Sequence, residues 1–311
     1  MRLEIFIKGE GKLRLLTYLY KGKEHAGVLN KDNTAVIKLK DLLSKSGIEM
    51  ELDISGLIEL GDSEFIKALE EIRDRFEYDE IKLDEVKFCA PIKYPVRNLI
   101  CLGTNYSDHV MEVRKSYPNL KVDIPKEPIY FSKAAWPITG HGDAIPANEG
   151  LVSQLDYEVE LAIVIGKEGK NISRENAEDY IFGYTVSNDV SARKVQSGKK
   201  QWFKGKSFDG FSPMGPWIVT KDEIPFPVKL DMKAWINGEL RQDSNTGQMI
   251  FDIPHIIEDL SKGMTLRKGD IILTGTPAGV GLGFNPPKYI EKGDRVRLWI
   301  EKIGEIENRV E

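Results

Sequence analysis

The sequence predicts an α+β protein dominated by strands, with a large C-terminal domain behind a small N-terminal α/β one. Three observations carry this. Beyond residue 90 the apolar runs are short, β-branched and mostly bounded by glycine, as in Leu161-Ala162-Ile163-Val164-Ile165-Gly166 and Asp270-Ile271-Ile272-Leu273-Thr274-Gly275. Such runs favour strands over helices. Before residue 90, short alternating segments are followed by one strongly amphipathic stretch. Between them, Ala90-Pro91-Ile92-Lys93-Tyr94-Pro95-Val96-Arg97 reads as an extended connector, because proline disfavours helix at itself and at its predecessor.

Taken in order, Arg14-Leu15-Leu16-Thr17-Tyr18-Leu19-Tyr20 and Thr34-Ala35-Val36-Ile37-Lys38-Leu39 read as small antiparallel strands, punctuated by Lys21-Gly22-Lys23 and Lys31-Asp32-Asn33. Asp62-Ser63 offers an N-cap to Glu64-Phe65-Ile66-Lys67-Ala68-Leu69, whose apolar residues recur at helical spacing. This gives an accessory domain over residues 1–90 and a main domain over 91–311. Trp217-Ile218-Val219-Thr220 adds another strand to the latter, and no internal repeat or low-complexity segment interrupts it.

Composition limits the function. The chain has 311 residues, 41% of them hydrophobic, enough for one substantial core. Its 44 basic and 49 acidic residues are interspersed, for a net charge of −5. That excludes an electrostatic surface for nucleic acid or anionic lipid and leaves small molecules as partners. Two cysteines, Cys89 and Cys101, are too few and too far apart for a disulfide framework or zinc ribbon, and fit a reducing, cytoplasmic setting. The N-terminus alternates charge with short apolar runs, which reads as no signal peptide, and no run is long enough to span a membrane.

The strongest chemical signal is Asp156-Tyr157-Glu158-Val159-Glu160-Leu161-Ala162-Ile163. It reads as an alternating strand that runs into a buried one, and period-two geometry then puts Glu158 and Glu160 on one face, close enough to share a cation. Two carboxylates beside an apolar core repel each other and lose hydration, so a hard cation such as Mg²⁺ or Mn²⁺ is the expected partner. A salt-bridged pair or a solvated strand face makes the same pattern. Asp189, after Ile181-Phe182-Gly183-Tyr184-Thr185-Val186, is a candidate third ligand at a strand end, on a helical turn that would share a face with Arg193 and Gln196. It could equally be a helix N-cap. His109 and Glu112 would lie three apart on a helix, where the carboxylate can orient the imidazole as a water-activating base; the alternative is an exposed pair of little energetic value. Lys206 could stabilise a developing enolate, or be one more solvated lysine. Thr276, in Gly275-Thr276-Pro277-Ala278-Gly279, could offer its hydroxyl to a carboxylate, or belong to a plain turn. His141 and His255 read as structural, and Lys133 carries no assigned role.

In this order, Asp156-Tyr157-Glu158-Val159-Glu160-Leu161, Ser187-Asn188-Asp189-Val190-Ser191-Ala192-Arg193, Lys204-Gly205-Lys206-Ser207-Phe208-Asp209-Gly210 and Thr274-Gly275-Thr276-Pro277-Ala278-Gly279 resemble the fumarylacetoacetate hydrolase family. The resemblance runs from about Pro91 to Val310, with further anchors at Leu102-Gly103-Thr104-Asn105-Tyr106-Ser107-Asp108-His109 and Gly293-Asp294-Arg295-Val296. It implies a mixed β-sandwich roll, a homodimer, and a divalent ion (Mg²⁺ or Mn²⁺, with Ca²⁺ an alternative) held by Glu158, Glu160 and Asp189. It places Lys206, Arg193, Gln196 and Thr276 around the substrate and supports the His109/Glu112 pair.

The expected reaction is hydrolysis of a carbon–carbon bond in a 2,4-dioxo acid of the acylpyruvate type. Its rivals on the same platform are isomerisation of unsaturated 2-hydroxy dioates in aromatic catabolism, decarboxylation of oxaloacetate-like acids, and dehydration or hydrolysis of keto-deoxy sugar acids. A protein that only binds 2-oxo acids is the non-enzymatic alternative. The insertion-like stretch 114–125 after the His109/Glu112 pair is expected to reshape a lid over the site.

Overall fold

The computed structural model describes residues 13–116, 123–134, 136–197 and 200–311. Two sheets make up the molecule's frame. The larger, of eleven strands among the described residues, runs in the order Ile81–Lys82, Ala35–Lys38, Lys23–Leu29, Arg14–Tyr20, Met214–Thr220, Ile181–Asn188, Val159–Ile165, Ile271–Leu273, Leu99–Gly103, Ile129–Lys133. Lys87–Phe88 pairs alongside Arg14–Tyr20. The smaller sheet orders Glu239–Asn245, Asp231–Ile236, Arg295–Ile300, Gly304–Val310 and Ala144–Ile145. Pairing is antiparallel except where Ile271–Leu273 meets Leu99–Gly103 and Gly304–Val310 meets Ala144–Ile145. The expected strand-dominated mixed fold is what the chain adopts.

Two cores explain the run Val159–Ile165, buried along its whole length. Leu161, Ile163 and Ile165 point into the core shared with Met232, Ala234, Leu298 and Ile300 of the smaller sheet. Ala162 and Val164, on the opposite face by strand alternation, pack with residues of the N-terminal helices such as Leu42, Leu57 and Leu69. A strand covered on both faces reads as unbroken apolar sequence.

Helix Ser63–Arg75 begins as the sequence indicates, with the Asp62 carboxylate accepting from the Phe65 N–H at 2.9 Å. Among the described residues three α-helices of seven or more residues lie beyond what the sequence indicates. Leu39–Lys45 starts where the strand reading of Thr34 to Leu39 had continued; the strand ends at Lys38 because Leu39, Leu42 and Leu43 all reach the second core. Ile54–Leu60 and Ile253–Ser261 are capped by Asp53 and Asp252.

The connector around Pro91 and Pro95 is non-helical, yet the larger sheet runs across it. Arg14 and Leu15 register against Val219 and Ile218, so strands from both sides of residue 90 share one hydrogen-bonded sheet. Among the described residues no helix is long and apolar enough to cross a membrane. Residues 1–12, where the absence of a signal peptide was read, and 117–122 of the insertion-like stretch lie outside the described residues.

Candidate metal centre and active site

Two antiparallel segments bring the acidic residues together. Strand Val159–Ile165 pairs with Ile181–Asn188, Glu160 standing opposite Ser187, and just beyond the ladder the Asp189 N–H donates to the Glu158 carbonyl at 3.0 Å. Carboxylate oxygens of Glu158, Glu160 and Asp189 all lie within 4.8 Å of one another, and all three residues are buried.

Two local readings need correction. Residues 156–163 are not one continuous strand: Leu155–Asp156 pairs with Ser191–Ala192, and the main strand starts only at Val159. In the gap, side chains replace the ladder. The Asn188 side-chain oxygen accepts from the Glu158 N–H at 3.1 Å, and that of Gln242 accepts from the Val159 N–H at 3.0 Å. Nor does Asp189 open a helical turn or cap a helix. Pairing with Asp156 and Leu155 holds Ser191 and Ala192 extended, so the helix begins at Arg193.

Three cations are packed against these acids. Lys206 Nζ lies 2.7 Å from Glu158 Oε2 and 2.6 Å from Asp189 Oδ2. Lys133 Nζ is 2.5 Å from Asp189 Oδ1. Arg193 bridges Asp156 at 2.8 Å and Glu158 at 2.7 Å, and its Nη1 also donates to Gln196 at 3.2 Å. Asp156 is further held by the N–H groups of Gly281 and Leu282.

Burial alone would push Glu158 up, but Lys206 and Arg193 hold it down at about 2. Burial would likewise lower Lys206, yet Asp189 and Glu158 keep it above its ordinary value. Lys133 moves the other way: complete burial lowers it, offset in part by Asp189. Among the described residues the hydrogen-bond partner of the Glu160 carboxylate is neutral, the Gly275 N–H at 2.7 Å. Burial and the neighbouring Asp189 and Glu158 charges drive its carboxyl well above the usual range.

Four carboxylates therefore face three cations, and the unmatched one is Glu160. A buried, all-oxygen donor set with one excess negative charge fits a hard divalent ion held by Glu158, Glu160 and Asp189.

These groups open onto a cavity of about 340 Å³, lined by Glu158, Glu160, Arg193, Gln196, Lys206, Thr276 and His109. His109 rides on helix Ser107–Ser116, with Nδ1 3.2 Å from Glu112 Oε2. The other Glu112 oxygen accepts from the Gly279 N–H at 2.8 Å, and Asp108 takes a 2.5 Å hydrogen bond from Ser244. Gly279 has φ +99°, and a Cβ there would sit 1.9 Å from the Arg241 carbonyl, so only glycine admits this approach. Thr276 Oγ1 accepts from Gln242 Nε2 at 2.8 Å. Aromatic walls come from Phe131 and Trp202, packed edge to face at 5.3 Å.

Every sequence-nominated site residue reaches this cavity or, as Asp189 and Glu112 do, a residue lining it. Lys133, Asp156 and Gln242 belong to the same constellation and were not nominated. His141 accepts from the Glu307 N–H and His255 lies beside Arg174 and Phe251, both away from the cavity.

Residues 98–311 match the family described as fumarylacetoacetate (FAA) hydrolase, C-terminal. The chain belongs to this family of enzymes. Among its relatives, the oxaloacetate tautomerase YisK of Bacillus subtilis (strain 168) is 50% identical over 228 residues, 73% of this chain and 74% of that protein. The structure of a fumarylacetoacetate hydrolase from psychrophilic Exiguobacterium antarcticum is 36% identical with a TM-score of 0.77, covering 96% of this chain and 99% of that one. Maleylpyruvate hydrolase from Sphingobium sp. SYK-6, solved with manganese(II) and pyruvate, is 31% identical with a TM-score of 0.74, covering 96% and 98%.

Proposed function

We propose that this chain is a divalent-metal-dependent enzyme that interconverts the enol and keto forms of a small 2-oxo dicarboxylic acid of the oxaloacetate type. The observation that carries the reading is the cavity of about 340 Å³ that His109 lines together with Glu158, Glu160 and Lys206. That volume lies at the small end of the range for ligand sites and suits a four-carbon diacid. The 50% identity to an oxaloacetate tautomerase supports this substrate class over larger ones.

In this mechanism His109, oriented by Glu112, delivers and removes the proton at C3, while the Lys206 ammonium stabilises the negative charge on the C2 oxygen. The enol O–H proton passes to solvent and His109 draws the proton it delivers to C3 from solvent, so atoms and charge balance over the turnover. A positioned acid–base group of this kind contributes about 10²–10⁴-fold. Arg193, Gln196 and Thr276 receive the substrate's carboxylates. An ion held by Glu158, Glu160 and Asp189 would act as the Lewis acid that draws charge onto the 2-oxo and carboxylate oxygens.

The second reading is hydrolysis of an acylpyruvate, favoured by the similarity to maleylpyruvate hydrolase. There His109 and Glu112 would deprotonate a water that attacks the C4 carbonyl. The C3–C4 bond then breaks, and the pyruvate enolate that leaves is protonated at C3. A cytoplasmic setting, consistent with free Cys89 and Cys101, and assembly as a homodimer are part of the same proposal.

The test is the decay of enol absorbance of oxaloacetate with chelator-treated protein, with and without Mg²⁺ or Mn²⁺, beside acetylpyruvate and maleylpyruvate. Metal-dependent acceleration confined to oxaloacetate supports the tautomerase. Cleavage of a dioxo acid without that acceleration replaces it with the hydrolase, and activity indifferent to metal removes both.

A further inference from the structure

Gln242, on strand Glu239–Asn245, is completely buried and connects two parts of the site. Its Oε1 accepts from the N–H of Val159, the residue between Glu158 and Glu160; its Nε2 donates to the Pro277 carbonyl at 2.9 Å and to Thr276 Oγ1 at 2.8 Å. The amide can be oriented only one way. A backbone N–H can only donate and a carbonyl can only accept, so Val159 faces the oxygen and Pro277 the nitrogen. Both amide hydrogens are then committed, one to Pro277 and one to Thr276.

That commitment has a consequence for Thr276. Its oxygen is already accepting, so its own hydrogen must go elsewhere, and among the described residues no protein acceptor takes it. The Thr276 residue lines the cavity beside Glu160, Arg193 and Lys206. We infer that Gln242 is a positioning residue that fixes the Thr276 hydroxyl as a hydrogen-bond donor into the cavity, where it meets a carboxylate oxygen of the substrate. The inference rests on the 2-oxo-acid reading and adds to it the residue that sets the polarity of the anion contact.

The test is a double-variant cycle read by calorimetric binding of oxalate in the presence of Mn²⁺, with Mn²⁺ binding alone as the second readout. Thr276→Val should weaken oxalate about 10- to 100-fold, the loss of one hydrogen bond to a charged group, and leave Mn²⁺ affinity unchanged. Gln242→Glu should weaken oxalate by a similar factor, because an ionised carboxylate at this position accepts the Thr276 hydrogen and turns it away from the ligand. It still accepts from Val159, so Mn²⁺ binding is not weakened. The combined variant should bind oxalate no more weakly than Thr276→Val alone. Gln242→Met, which avoids a buried charge, repeats the cycle if Gln242→Glu fails to fold, and the same non-additivity is expected.

Wild-type oxalate binding with an unchanged affinity in the Gln242 variants, or losses that multiply in the combined variant, would overturn this assignment alone. Wild-type protein that binds Mn²⁺ but neither binds oxalate nor acts on oxaloacetate would overturn the 2-oxo-acid reading and this assignment with it.

Discussion

Glu160 is the residue on which the metal assignment can be tested most directly. It is buried, hydrogen-bonded among the described residues only to the Gly275 N–H, and pushed toward its neutral form by burial and by Asp189 and Glu158. Glu160→Gln keeps the shape and removes the charge. The metal-free variant should be at least as stable as wild type, since every buried carboxylate left in the cluster then has a cation beside it. Its Mn²⁺ affinity should fall by at least about 100-fold, above the loss seen when a mere supporting partner is removed. Thermal unfolding separates these effects: Mn²⁺ should raise the wild-type transition and leave the variant's where it was. A variant that keeps the Mn²⁺ shift would remove Glu160 from the ligand set. At this scale the acids were legible because Glu158 and Glu160 sit two apart and Asp189 stands in a recognisable motif. Lys133 and Gln242 were not. Their partners are 56 and 83 residues away in the chain, and a lysine in an apolar strand or a glutamine among polar neighbours has no local pattern that announces a buried partner.

At the scale of elements, helix Ser107–Ser116 is placed by its contacts with loops and strands distant in sequence. The Asp108 to Ser244 bond ties its first turn to strand Glu239–Asn245, and the Glu112 carboxylate rests on the 281–283 turn. A Cβ on Gly283 would come within 2.2 Å of Glu112 Cδ. Because the obstructed atoms are the end of a flexible side chain, Gly283→Ala should fold normally and displace the Glu112 carboxylate from both His109 and the Gly279 N–H. His109 then loses its orienting partner. The expected result is a kcat about 10- to 100-fold lower, part of the full contribution of a positioned acid–base group, with unchanged Mn²⁺ affinity. An unchanged kcat would mean that Glu112 does not direct His109. Element types were legible where the local signal was complete, as in the Asp62 cap followed by helical spacing over Ser63–Arg75. Leu39–Lys45 was misread because its first residue ends a β-branched run, and what makes it helical is tertiary: Leu39, Leu42 and Leu43 find one apolar face to cover.

For the whole molecule, the division at residue 90 is proposed as a seam in the sequence that is not a boundary in folding. The larger sheet crosses it through the pairing of Arg14–Tyr20 with Met214–Thr220. Buried Arg14 is ion-paired to Glu223 and stacks on Trp217 with its guanidinium 5.9 Å from the ring centroid. Leu13, Leu15, Leu42, Leu57 and Leu69 cover the same core that Ala162, Val164, Ile218, Ile271 and Leu273 enter from the other side of the seam. Each large apolar side chain so buried stabilises by roughly 1.5–3 kcal/mol, and a domain's entire margin is about 5–15 kcal/mol. Losing the partners of even a few of these residues would consume that margin. It would also leave Met214–Thr220 as an open, apolar edge next to the strand that carries the metal site's scaffold. Residues 91–311 expressed alone should therefore aggregate or lack a cooperative transition, while the full chain unfolds as one unit, as circular dichroism and light scattering would register. A monodisperse 91–311 fragment with cooperative unfolding would instead make the first ninety residues a separable appendage. Strand Val159–Ile165 would then have to keep Glu160 in place with one of its two faces uncovered.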